Sequence, residues 1–191
     1  AFGIAGIASE FVPVFFGPGY EPCVPVMVVL AWVVPLICAT NVIGAQYLLP
    51  MYRDNHYTIS VCIGAVSNIV LCLVLISQLG ALGAAIGTVV AELVVLAVQA
   101  YYVREELPLL RYLRDAIPFV VIGILMVVAI RCAATPLIST FGVSAMTLII
   151  EIVIGVLFFL LLSIAYCIAT RNHNFRRIVG SRMTRKDDHG R

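Results

Sequence analysis

The sequence predicts an all-α fold, a polytopic bundle of helices that crosses a membrane. Three observations support this prediction: an excess of apolar residues, five long apolar runs, and an uneven distribution of Lys and Arg. Of the 191 residues, 62% are hydrophobic and 12% are charged, whereas a soluble domain has roughly 25% charged residues. A chain of this length has too small an interior to hide so much apolar surface from water, so lipid is the expected solvent.

The five apolar runs are long enough to cross a bilayer as helices, since about 20 residues span the hydrocarbon core. The runs are continuous and do not alternate apolar with polar residues, which argues against membrane strands. A shorter apolar segment, about 1–16, is expected to be the end of a sixth span, so the chain is expected to be part of a larger protein. The predicted spans in the membrane domain 1–170 are about 24–49, 57–78, 80–103, 116–134 and 143–169.

Turn-forming residues separate the spans. Gly and Pro cluster at residues 17–22, Pro50 precedes a short polar loop, and the break at Gly80 is so short that its two helices form a hairpin. In the polar connector 104–115, three leucines are expected to form one face of a short interfacial helix. These are Leu109, Leu110 and Leu113. A final connector is expected at 135–142, beginning at Thr135 and Pro136.

Lys and Arg predict the orientation, because cytoplasmic connectors keep the excess of positive charge. One set of alternating connectors carries eleven of the twelve basic residues, and the opposite set carries only Arg131. The eleven are Arg53, Arg104, Arg111, Arg114, Arg171, Arg176, Arg177, Arg182, Arg185, Lys186 and Arg191. The tail 171–191 is therefore expected to be cytoplasmic and disordered, and to contact anionic lipids rather than nucleic acid.

Ionisable and polar residues inside the spans are the candidate functional residues, because exposing them to lipid is costly. Glu92 lies near the middle of its predicted span, and Thr88 and Gln99 share its helical stripe. Glu151 lies outward of the middle of the last span, on a stripe with Ser144, Thr147 and Gly155. Each glutamate is either part of a transport path, titrating a proton, or a structural carboxyl group that is hydrogen-bonded to a neighbouring helix.

Pro35 lies near the middle of the span 24–49, where it removes a backbone hydrogen bond and is expected to kink the helix. Kinked helices often line transporter binding sites. Asn41 and Gln46 follow the proline but point about 140° apart on an ideal helix, so both cannot be assumed to face one cavity. Asn68 in the next span is an equally good candidate for an interhelical hydrogen bond.

The segment "GALGAAIG" at residues 80–87 has two interpretations, a phosphate-binding loop and a helix-packing surface. It lacks the GxGxxG spacing and a phosphate-binding lysine, so packing is favoured. Gly80 permits a tight turn. Gly83, Gly87 and Ala91 then recur every four residues, which is the small-residue pattern of close membrane helices.

Catalytic and metal-binding patterns are absent from the sequence. It contains no GxSxG, HExxH or P-loop, and the six cysteines lack the spacing of zinc ligands. A disulfide between Cys23 and Cys132 remains open. The chain is therefore expected to be a non-enzyme with neither cofactor nor metal.

Four features over residues 10–103 match a known family in order and spacing. They are Phe16, Gly17 and Tyr20 before a span, then "QYLLP" at 46–50, Asn68, and "GALGAA" at 80–85. In these features the chain resembles the C-terminal half of bacterial polysaccharide repeat-unit flippases, the Wzx-type members of the multidrug/oligosaccharidyl-lipid/polysaccharide exporter superfamily. From Arg104 onward the match is one of hydropathy.

The resemblance implies a two-lobe, alternating-access transporter of the bacterial cytoplasmic membrane, of which this chain is the second lobe. Its cargo would be a lipid-linked oligosaccharide carried on undecaprenyl pyrophosphate. The N-terminal lobe would then be the principal protein partner. Arg53, at the cytoplasmic mouth, is a candidate contact for the lipid phosphate, with a simple positive-inside role as the alternative. A drug or cation antiporter of the same superfamily and a membrane-bound polymerase or transferase remain the other hypotheses.

Overall fold

A computed structural model describes the backbone of residues 1–187 and the side chains of residues 1–139 and 142–170. This part of the chain is all helical. Seven α-helices and one π-helical turn follow one another along the chain. They are α1 (Phe2–Phe16), α2 (Cys23–Ala31), α3 (Val33–Ile43), the π-helical turn (Gly44–Leu48), α4 (Asp54–Leu79), α5 (Ala81–Val103), α6 (Leu109–Phe141) and α7 (Ala145–Asp187).

Five helical segments are long and apolar enough to cross a membrane, which confirms the prediction of a multi-pass helical bundle. These segments are Cys23–Leu48, Asp54–Leu79, Ala81–Val103, Leu109–Ser139 and Ala145–Thr170. Helix α1 is apolar but shorter.

The first span is interrupted where Pro35 is expected to disturb it. Pro35 has no N–H, so the carbonyl of Ala31 lacks its usual i+4 donor. The helix breaks at Trp32 between α2 and α3, and the Trp32 N–H donates to the carbonyl of Val29 at 3.1 Å. The π-helical turn at Gly44–Leu48 is a second irregularity before the chain leaves the helix.

Helices α4 and α5 form a hairpin at Gly80, whose φ of 57° is in the region that favours glycine. Their interface is the most extensive in the described structure. A Cβ on Gly83 would overlap the backbone carbonyl of Leu75, and a Cβ on Gly87 would lie 3.1 Å from the Cys72 sulfur. Together with the buried Ala91, these small residues let α5 lie against the backbone of α4.

Helix α6 is longer than the sequence predicts at both ends. Its first turn begins at Leu109, so the predicted separate interfacial helix is wrong. At the other end the helix continues through Pro136 to Phe141. The proline removes only one backbone bond, and the Thr135 hydroxyl donates to the carbonyl of Arg131 at 3.2 Å just before it.

The last helix, α7, also extends beyond its predicted end. It continues to Asp187, so residues 171–187 are helical where the sequence analysis expects a disordered tail. An uninterrupted helix is compatible with this segment because it contains no proline and only one glycine, Gly180. Residues 188–191 and the side chains of the basic tail lie outside the described residues.

The helices pack as two groups. Helix α5 packs against α4, α3 and α2, whereas α6 packs against α7. Helix α1 contacts α2, α6 and α7, so it connects the two groups. In this position α1 brings the carboxyl group of Glu10 against α6 and α7.

Candidate functional site

An ion pair joins α1 to the middle part of α6. The Arg131 guanidinium donates to Glu10 Oε1 at 2.8 Å, and the side chains are 45% and 10% exposed, respectively. The Ser9 hydroxyl donates to Glu10 Oε2, also at 2.8 Å. Both oxygens of the Glu10 carboxylate therefore accept hydrogen bonds, as a largely buried carboxylate requires.

Glu151 of α7 lies beside this ion pair, and Glu10 and Arg131 are the charged groups that act on it electrostatically. Glu151 is 0% exposed. Among the residues that the structure describes, neither of its carboxyl oxygens has a hydrogen-bond partner. A buried carboxyl group with both oxygens unpaired is costly and calls for a specific explanation.

Close packing one helical turn from the ion pair sets the positions of Glu10, Arg131 and Glu151 along their helices. The side chain of Ile130 lies between Gly6 of α1 and Gly155 of α7: a Cβ on Gly6 would be 3.6 Å from Ile130 Cδ1, and one on Gly155 would be 2.8 Å away. Glu10 follows Gly6 by four residues, and Glu151 precedes Gly155 by four. One helical turn therefore places both glutamates near Arg131, the neighbour of Ile130.

Two hydroxyl groups lie at the start of α7, one turn before Glu151. The Ser144 and Thr147 hydroxyls are 3.2 Å apart, and the Thr147 hydroxyl donates to the carbonyl of Gly142 at 2.9 Å. Thr147 is buried and lies one turn before Glu151. The predicted polar stripe of α7 is thus a buried surface in the structure, facing α1 and α6 rather than lipid.

An apolar cavity of about 670 Å³ lies between α1, the break at Trp32, α6 and α7. Aromatic rings and small residues line it, among them Phe2, Trp32, Pro35, Phe119, Gly155 and Phe159. The rings of Phe2 and Trp32 meet edge to face, with centroids 5.2 Å apart. Ile130 and Gly155 border this cavity, so it begins one turn from the charged residues.

A second cluster of polar side chains joins the π-helical turn to the loop after α5. Glu106 accepts hydrogen bonds from the Tyr47 hydroxyl and from Arg53, both at 2.6 Å. The hydrogen bond from Tyr47 has the larger effect and that from Arg53 the next, and both lower the pKa of the Glu106 carboxyl below its ordinary value. Arg53 is thus already paired with a carboxylate, which weakens its candidacy as a contact for lipid phosphate.

Gln99 is 1% exposed and lies against α4 and the π-helical turn. Its Nε2 donates to the Ser60 hydroxyl at 3.3 Å, while its Oε1 has no partner among the described side chains. A Cβ on Gly44 would come within 2.8 Å of this amide. Gln99 therefore joins three helical segments and does not line an open path.

The other predicted site residues are dispersed. Glu92 and Thr88 are half-buried on α5, and the Thr88 hydroxyl donates to the carbonyl of Ala84. Asn68 is half-buried beside Gly87 and accepts a weak bond from the Cys72 thiol. Asn41 and Gln46 are exposed. Glu92 and Glu151 belong to different helix groups and are not brought together.

Sequence reasoning missed Glu10 and placed Arg131 in an outward connector. Arg131 instead lies inside the span Leu109–Ser139, about 12 Å along the helix from Ser139. The available signal was one acidic residue in the first apolar segment and one basic residue at the end of a predicted span. Opposite charges in two membrane helices commonly pair.

The six cysteines, Cys23 and Cys132 included, are free thiols. No protein-family model matches the chain, and neither a curated protein nor a solved structure matches it.

Proposed function

We propose that this chain forms the C-terminal lobe of a flippase that moves a lipid-linked oligosaccharide from the inner to the outer leaflet of a bacterial cytoplasmic membrane. The cargo is an oligosaccharide repeat unit on undecaprenyl pyrophosphate, used for cell-surface polysaccharide such as capsule or O-antigen. The protein acts as a transporter and not as an enzyme. Its partners are this cargo, the N-terminal lobe, and anionic lipids at the basic tail.

The observation that carries the proposal is the apolar cavity at the break beside Pro35. Its lining is hydrocarbon and aromatic, which suits an isoprenoid chain better than a polar solute. The break itself is the kind of helix discontinuity that recurs at transporter binding sites. Polar groups lie one turn away at Glu10 and Glu151. A cavity of this composition, together with the resemblance over residues 10–103, favours a lipid-linked cargo over a soluble drug or cation.

The charge pattern supports a cytoplasmic C-terminus. Arg131, the single basic residue on the outward side, lies within α6 and pairs with Glu10. The outward connectors therefore contain no Lys or Arg, and all eleven remaining basic residues lie on the opposite side. This distribution agrees with the positive-inside rule.

Deletion and complementation in the native host test the proposal. Loss of the gene is expected to abolish surface polysaccharide and to leave lipid-linked repeat units at the cytoplasmic face. Complementation with the native protein is expected to restore both. A matched control is Trp32→Phe, which keeps an aromatic ring in the cavity and should export normally, whereas Trp32→Glu should not.

The same strains separate the proposal from the antiporter alternative. Unchanged surface polysaccharide in the deletion strain, accompanied by greater sensitivity to cationic drugs, would refute the flippase and support the antiporter. A polymerase would instead leave single repeat units at the outer surface.

A further inference from the structure

We propose that Glu151 is a proton-binding site whose protonation state decides which carboxylate Arg131 pairs with. In the described structure Arg131 pairs with Glu10, and Glu151 is then neutral. When Glu151 releases its proton, the resulting carboxylate competes with Glu10 for the same guanidinium. The link between this exchange and cargo movement rests on the proposed function, but proton binding itself does not.

Charge balance is the first step of the argument. The charged side chains that face Glu151 are Glu10 of α1 and Arg131 of α6. With Glu10 and Arg131 ionised, their charges cancel. An ionised Glu151 would leave one net negative charge in a helix bundle surrounded by lipid, while a protonated one leaves none. Uncompensated buried charge is avoided by taking up a proton.

Hydrogen bonding is the second and independent step. Glu10 is supplied with donors from Arg131 and Ser9, as an ionised carboxylate requires. Glu151, at 0% exposure, has no donor to either oxygen within the described part of the chain. The two glutamates therefore have different environments, one built for the carboxylate and one for the neutral acid. This difference assigns the mobile proton to Glu151.

The third step concerns the route of the proton to Glu151 and the structural consequence of its release. The hydroxyls of Ser144 and Thr147 lie at the start of α7, and Thr147 is one turn before Glu151, so the polar approach to Glu151 comes from this end of the helix. The proton leaves Glu151 as H⁺, the guanidinium keeps its charge throughout, and no bond other than O–H breaks. Because α1, α6 and α7 meet through Gly6, Ile130 and Gly155, moving Arg131 towards Glu151 loosens α6 from α1.

Infrared difference spectroscopy of the purified native protein in lipid nanodiscs tests the assignment, because a protonated carboxyl group has its own C=O stretching band. The wild type is expected to show this band at neutral pH and to lose it on alkaline titration. Glu151→Gln should remove the contribution of Glu151 to it. The matched control is Glu105→Gln, which removes an 82% exposed glutamate of a connector and should leave the band in place.

Two further variants test the exchange and guard against misfolding. Arg131→Gln leaves two carboxyl groups without a cation, so the band should gain the contribution of a second carboxyl group. Glu151→Asp keeps a carboxyl group and should keep a band with a changed pH midpoint. An unchanged band in Glu151→Gln, its loss in Glu105→Gln, or no gain in Arg131→Gln would overturn the proposal.

The spectroscopic test and the export test can fail independently of each other. The band is measured without cargo, so its presence together with unaltered polysaccharide export in a gene deletion would refute the flippase and leave the proton site standing. Normal export in the wild type without any protonated carboxyl band at neutral pH would refute the proton site alone.

Discussion

Glu10 and Arg131 are 121 residues apart in sequence and 2.8 Å apart in the structure, so one ion pair fastens α1 to α6. Removing Arg131 leaves Glu10 without its cation. We expect Arg131→Gln to destabilise the protein, by less than the ~3–5 kcal/mol typical of breaking a fully buried pair, because Arg131 is 45% exposed. Thermal unfolding in detergent, followed by light scattering, measures the change.

Glu10→Gln is expected to destabilise less than Arg131→Gln, because Glu151 remains beside Arg131 and can replace the lost carboxylate. The control is Glu105→Gln, whose contact with Arg104 is longer, at 3.6 Å, and 82% exposed on the glutamate side. Exposed pairs of this kind contribute about 0–1 kcal/mol. Equal losses for Glu10→Gln and Arg131→Gln would contradict the role given to Glu151.

The α4–α5 hairpin gives a prediction about packing. Gly83→Ala adds a Cβ that overlaps the carbonyl of Leu75, so we expect a loss of about 1–3 kcal/mol from overpacking. Gly3→Ala is the matched control, because a Cβ there would meet only Met126 Cε at an ordinary 3.7 Å. Alanine also favours helix over glycine. A melting temperature that falls equally in both variants would show that the close approach of α4 and α5 contributes nothing.

Glu92 gives a prediction about transport. This glutamate is half-buried on α5 and forms neither a hydrogen bond nor an ion pair with the described residues. If it belongs to the transport path, Glu92→Gln in the native protein should reduce polysaccharide export while membrane insertion stays intact. Quantified surface polysaccharide, normalised to the amount of protein in the membrane, is the measurement. Export at the wild-type level would assign Glu92 a structural role.

The contact of Glu106 with Tyr47 and Arg53 predicts a dependence on pH. The folded-state pKa of Glu106 lies below its ordinary value of 4.5, because Tyr47 and Arg53 donate to the carboxylate. This contribution to stability is therefore fully present above the ordinary pKa and is lost as the pH falls through the lowered folded-state pKa. Glu106→Gln should flatten the acid side of the stability curve, measured as melting temperature against pH. Glu105→Gln should leave that side unchanged.

Hydropathy predicted the five spans because each apolar run is continuous over a membrane thickness. The far end of α6 was harder to predict. Thr135 and Pro136 are typical of a turn in water, but a membrane helix tolerates a proline that removes one backbone hydrogen bond. Because the predicted span ended at 134, Arg131 was counted with the outward connectors, and its pairing with Glu10 was missed. Contacts between residues so distant in sequence follow from which helix faces meet, and periodicity within one helix does not specify that.

The orientation of the bundle is the last prediction. The turn at residues 17–22 and the loop at residues 50–53 lie at opposite ends of the first span, and from the charge pattern we expect the first outside and the second in the cytoplasm. In a variant without the six native cysteines, Pro18→Cys should react with a membrane-impermeant maleimide in intact cells. Asn55→Cys should react only after the membrane is opened. Both positions are exposed, so a difference in labelling should report the side of the membrane and not the burial of the residue. The reverse labelling pattern would invert the topology, and with it the side from which a proton reaches Glu151 past Ser144 and Thr147.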